Sequence, residues 1–132
     1  MVEIKTFRDL VVWQRAMELA KEVYKATSIL PDSERFGLSS QMRRAAVSIP
    51  SNIAEGYARQ SHLDYLRFLK VARGSLAELR TQVLLAQELS FLKTQSNLLP
   101  LIDETERILA GLIRSLRDWD KRTKDEQKER TP

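Results

Sequence analysis

Cysteine is absent from the 132 residues, so the chain has no disulfide framework, no thiolate zinc site and no cysteine nucleophile, and its fold must hold by packing alone. A chain without cysteine fits the cytoplasm best. Histidine is nearly absent as well. The single one, His62, falls in the first turn of an expected helix, where it faces solvent and leaves little for general-base or nucleophilic chemistry. A di-iron bundle needs Glu-x-x-His pairs on two helices; Arg59 stands three residues before His62, and no second histidine exists. Glycine and proline are scarce, four of each, which means few turns and favours a small number of long helices. There is no P-loop and no G-x-G-x-x-G, and the isolated Gly56 and Gly74 sit in helical patterns where close packing is the simpler use. No apolar run approaches the roughly 18 residues of a membrane span, and the opening MVEIKTFRDL lacks the apolar stretch of a signal peptide. These absences predict one small cytoplasmic domain, not an enzyme, with no cofactor, no metal and no membrane association.

What the chain does have is arginine in one place. Residues 1 to 34 carry 5 basic and 6 acidic side chains and residues 81 to 132 carry 9 of each, so the net charge of +4 arises entirely between them. There Arg35, Arg43, Arg44, Arg59, Arg67, Lys70, Arg73 and Arg80 stand against Glu55, Asp64 and Glu78. Arginine forks onto phosphate and stacks on bases, which makes this segment the expected nucleic-acid footprint. The alternative is a solvated helix face laced with intramolecular ion pairs.

Apolar periodicity predicts four helices. The first follows a Thr6–Asp9 capping pair and carries Leu10, Trp13, Met17, Ala20 and Tyr24 as its stripe. ILPDSERFG breaks the pattern with turn and cap residues, and the second helix runs from Ser33 or Leu38 to Ala58. Ser61 with Asp64 starts the third, whose stripe is Leu66, Leu69, Ala72, Leu76, Leu79, Val83 and Ala86. The fourth, with Pro100 in its first turn, has the seam Leu101, Thr105, Ile108, Leu112 and Trp119, and Asp103, Glu104 and Glu106 complement its dipole. Residues 1–120 are thus expected to form an antiparallel up-and-down bundle, and residues 121–132, with no apolar side chain to bury, a disordered charged tail.

The second helix has two faces to bury. Leu38, Ala45, Ala46, Ile49, Ile53 and Gly56 cluster about Met42 as a core face, while Val47, Ser51, Ala54 and Ala58 lie opposite, small and uncharged. Small residues permit close approach of another backbone, so the far side reads as a subunit interface; helix propensity alone is the competing account. Pro50 frees the carbonyl of Ala46, and in an antiparallel pairing Arg73 comes opposite and is expected to satisfy it. The same pairing brings Glu78 to Arg43 or Arg44. On the third helix Arg67, Lys70, Arg73 and Arg80 form one flank beside the apolar stripe.

RRAAVSIPSNIAEGYAR at 43–59 and FLKVARGSLAELRTQ at 68–82, preceded by FRDLVVWQRAMELA at 7–20, resemble the bacterial four-helix-bundle family whose founding members are encoded by intervening sequences in large-subunit ribosomal RNA genes. That family is related to the accessory protein of diversity-generating retroelements, a basic homopentamer that works with a reverse transcriptase on nucleic acid. The resemblance implies a bundle assembled into a ring of five, nucleic acid as ligand, and Ser48, Pro50, Asn52, Glu55, Arg73 and Glu78 as a structural polar network rather than a catalytic set. Two functions remain in view. One is a homo-oligomer that contacts RNA or DNA, RNA first, through Arg43, Arg44, Arg59, Arg67, Lys70 and Arg80 without reading sequence. The other is a scaffold presenting helix faces to a partner enzyme, with the charges serving solubility.

Overall fold

Thr6 and Asp9 form the capping box that the sequence suggests, but what they cap is a short 3-10 turn, Phe7–Asp9, and the first long helix begins after Leu10. In the computed structural model, which describes residues 3–130, four α-helices follow: α1 Val11–Thr27, α2 Leu38–Ala58, α3 His62–Glu88 and α4 Leu98–Arg130. There is no strand among the described residues. Ser61 caps α3 by accepting from the Asp64 amide, and Gln60, in the left-handed region at φ 57°, makes the tight link between α2 and α3. Each helix packs on its chain neighbour and α4 returns to α1, which makes a four-helix bundle.

The core is where the α2 and α3 periodicities put it. Met42, Ile49 and Ile53 of α2 meet Leu69, Leu76 and Leu79 of α3, all fully buried, each worth about 1.5–3 kcal/mol of transfer free energy. α1 differs from expectation. Its buried side chains are Val12, Ala16, Leu19, Val23 and Thr27, and the expected stripe of Trp13, Met17, Ala20 and Tyr24 lies one position round, half-buried or exposed. The helix is apolar on two faces; the compact one fills the core, and the one with the large rings lies at its edge, where Trp13 and Ala20 still pack against it and Tyr24 faces outward. On α4 the buried set is Leu98, Ile102, Thr105, Leu109 and Ile113, with Leu101, Ile108 and Leu112 packed at its edge and Trp119 about half exposed. Pro100 does fall in the first turn, where its missing N–H costs nothing.

Two expectations need correction at the ends of these helices. α4 does not stop near residue 120: residues 121–130 continue it as an exposed polar extension, sustained by strong helix formers and an Asp120–Lys124 pair one turn apart at 3.4 Å. The remainder of the expected disordered tail, residues 131 and 132, lies outside the described residues. His62 is half-buried rather than solvent-facing, because its Nε2 lies 2.8 Å from the Leu116 carbonyl and its ring packs 4.2 Å from that of Trp119.

The two mid-helix glycines also part company. A Cβ on Gly56 would lie 2.7 Å from the Phe68 Cβ, so close packing of α2 on α3 does require it; around Gly74 nothing comes within 4 Å, and packing within the subunit does not. Beside Gly56, the Tyr65 hydroxyl is buried with no hydrogen-bond partner among the described residues, and burial pushes its pKa up to about 12. A raised folded-state pKa stabilises the fold fully below the unfolded value of about 10 and loses that contribution as pH rises through 12. Tyr65→Phe is therefore expected to melt at or above the wild-type temperature at pH 7 and to lose less stability between pH 10 and 12, measured by thermal melts across that range. A melt lowered by several degrees at pH 7 would show that the hydroxyl is satisfied.

Candidate functional site

The arginine-rich segment divides into cations that are already paired and cations that are not. On the α3 flank, Arg80 Nη1 lies 2.6 Å from Asp103 Oδ1, Arg73 Nε lies 3.1 Å from Glu106 Oε1, and Arg67 Nη2 lies 3.0 Å from Asp64 Oδ1. Arg59 at the end of α2 pairs with Glu55 one turn back at 3.0 Å. Asp103 and Glu106, read from sequence as dipole partners, thus bind α4 to α3, and Glu104 binds it to α1 through Arg15 at 2.7 Å. Partly exposed pairs of this kind contribute about 0–1 kcal/mol each, but they cancel most of the flank's positive field. Lys70 on α3 and Arg44 on α2 make no ion pair among the described residues.

Arg73 therefore does not serve the Pro50 break. The polar contacts there come from small side chains: Ser48 Oγ lies 2.8 Å from Ser75 Oγ across the α2–α3 contact, and Asn52 Nδ2 donates to Ser48 O at 2.7 Å and to Ser48 Oγ at 2.9 Å. Ser48, Asn52 and Ser75 thus form one hydrogen-bonded unit at the helical turn that contains Pro50. Glu55 turns outward to Arg59, and Glu78 lines a hollow with Arg44 without an ion pair to it. The expected Glu78 pairing with Arg43 or Arg44 is absent because Arg43 is held from the other side. Its Nε donates to Thr27 Oγ1 at 2.8 Å, and its guanidinium lies 4.7 Å above the Tyr24 ring.

That arrangement opens a hollow of about 620 Å³ between the end of α1, the α1–α2 connection and the start of α2. Arg35, Arg43 and Arg44 line it with Tyr24, Phe36, Ser40, Val47 and Ser48, and no carboxylate does. The α2 residues share one side because they recur at three- and four-residue spacing. Phe36 is 89% exposed, with the Arg35 guanidinium 5.4 Å from its ring centre. Arg35 belongs to the arginine-rich footprint expected from the sequence, but Phe36 and Tyr24 were not sequence-level site residues. The readable signal was the Arg-Phe step inside a turn-rich segment, an aromatic with no helical stripe to bury it in.

A second concavity, about 680 Å³, adjoins the first through Tyr24 and Val47. Trp13, Met17 and Ala20 of α1 form one wall, and Val47, Ser51 and Ala54 of α2 the other. The misplaced α1 stripe and the small far side of α2 are thus two halves of one apolar groove. Ala58, the last residue of α2, is exposed beyond its end. Among the described residues no helix is long and apolar enough to cross a membrane.

Compared with known proteins, residues 8–112 match the family described as the 23S rRNA-intervening sequence protein. No curated protein matches the chain.

Proposed function

Because the chain belongs to the 23S rRNA-intervening sequence protein family, we propose that it is a non-enzymatic, cytoplasmic, oligomeric protein that binds nucleic acid, RNA first, through phosphate contacts that read no sequence. The observation that carries this reading is the hollow lined by Arg35, Arg43 and Arg44 and by no carboxylate. Arg59, Arg67 and Arg80, already engaged with acidic partners, take a secondary place, and Lys70 adds an unpaired cation on α3. The bundle is antiparallel in this reading, supported by contacts that run in opposite order along α2 and α3: Gly56 faces Phe68 while Ser48 faces Ser75. The assembly is a ring of identical subunits, five by resemblance, joined through the apolar groove between α1 and α2, which is otherwise left to water.

Counterion release gives the test. Each phosphate contact on a single strand adds about 0.7 to the slope of log affinity against log salt, so Gln at positions 35, 43 and 44 together should flatten that slope by about 2 per engaged subunit. Gln at 67, 70 and 80 should change it by less than about 1, since two of those three charges are already neutralised. Binding of a random RNA, followed by gel shift over a salt series, reads both. If the wild-type protein binds no RNA even at low ionic strength, the scaffold reading replaces this one, with the groove receiving a helix of a partner enzyme.

A further inference from the structure

An aromatic ring as exposed as Phe36 contributes almost nothing to folding, and the group over its ring is a cation, the Arg35 guanidinium. The Arg43 guanidinium, by contrast, is fixed before any ligand arrives. Thr27 is buried; its hydroxyl donates to the Val23 carbonyl at 2.8 Å and accepts from Arg43 Nε at 2.8 Å, and the Tyr24 ring supports the plane from below. With Nε engaged, the two terminal nitrogens remain to fork onto an oxyanion. One hollow therefore holds a preset anion fork, two further arginines and an exposed aromatic ring that the Arg35 guanidinium approaches, at 5.4 Å from its centre. Phosphate alone does not call for the ring, and an apolar ligand does not call for three arginines.

Resting on the nucleic-acid reading above, we propose that this hollow takes one nucleotide unit of a single strand, its phosphate on Arg43 and Arg44 and its base, swung out of any stack, on the face of Phe36. A base in a duplex is paired and stacked and does not reach the ring, so the site selects single strands and looped segments without reading sequence. A free mononucleotide carries the same chemistry, and the two sources differ in avidity: a strand can occupy the hollows of several subunits at once.

The test uses the full-length protein, a labelled uridine homopolymer, an RNA duplex of equal length, and uridine monophosphate or inorganic phosphate as competitor. Phe36→Ala, at an exposed position that leaves the fold intact, should weaken single-strand binding about tenfold or more, leave duplex binding within about twofold, and leave the salt slope unchanged because no charge is lost. Phe36→Trp should restore single-strand binding. Uridine monophosphate should compete better than inorganic phosphate, and the homopolymer better than either. Unchanged single-strand affinity in Phe36→Ala overturns the stacking role while the arginine-based function stands, as does competition by inorganic phosphate equal to that by uridine monophosphate. Absence of RNA binding by the wild type instead removes the function on which the site depends.

Discussion

Ala54→Glu is expected to convert the proposed assembly into monomers of 15.3 kDa with unchanged helix content. Ala54 lies in the wall of the groove formed with Trp13, Met17 and Val47, away from the Met42, Ile49 and Ile53 face that fills the bundle. A carboxylate there remains solvated in the monomer and is stripped of water in the assembly; of the two cations that line the groove, Lys25 is already paired with Glu22 at 3.2 Å, and Lys21 is an exposed side chain that would have to be drawn in with it. The penalty for an unpaired buried charge is on the order of several kcal/mol, which corresponds to a thousandfold or greater loss in association at about 1.4 kcal/mol per tenfold. Light scattering across an eluted peak gives the mass and circular dichroism the helix content. A wild-type mass near 15.3 kDa would remove the ring from the proposal, and a mutant that scatters like a larger wild-type assembly would place the contact elsewhere.

Gly56→Ala should carry a larger stability loss than substitution of either other mid-helix glycine, Gly74 or Gly111. Helix propensity alone favours alanine by about 0.5–1 kcal/mol. Against that, the new Cβ would meet the Phe68 Cβ at 2.7 Å and the Tyr65 carbonyl oxygen at 3.3 Å. Neither is the free end of a flexible chain, so relief requires moving α2 away from α3, and overpacking of this kind costs about 1–3 kcal/mol. The net result should be a melting temperature several degrees lower. Gly74→Ala and Gly111→Ala, where nothing lies within 4 Å, should gain the propensity term instead. If all three mutants melt above the wild type, α2 and α3 do not approach as closely as the structure has them.

α2 and α3 were legible from the sequence because each has only one stripe of large apolar side chains, so period and composition suffice. α1 was not, since Val12, Ala16, Leu19 and Val23 compete with Trp13, Met17, Ala20 and Tyr24 and the larger side chains carry the stronger hydrophobic signal. Which stripe goes inside is decided by the space left between the other helices. The groove was half visible, through Val47, Ser51 and Ala54; its other half was hidden in the wrong stripe. Cross-helix ion pairs were out of reach, because the partners of Arg73 and Arg80 depend on how far along its axis α4 sits. The hollow escaped notice because it draws Tyr24, Phe36 and Arg43 from three segments with three different local patterns.

The carboxylates that open α4 contribute little to the depth of the native state, yet they bear on its uniqueness. Sliding α4 by one turn, about 5.4 Å, keeps Leu109 and Ile113 in positions that accept apolar side chains, so two of the four buried sites after Leu98 do not distinguish the shifted alignment from the native one. The charges do. In the slid helix Arg107 would take the place of Asp103 opposite Arg80, Ile108 that of Glu104 opposite Arg15, and Ala110 that of Glu106 opposite Arg73. One attraction becomes a repulsion and two arginines lose their partners. The three pairs thus act as a vernier, adding a penalty at the surface to the one that the core already sets on this near-native decoy.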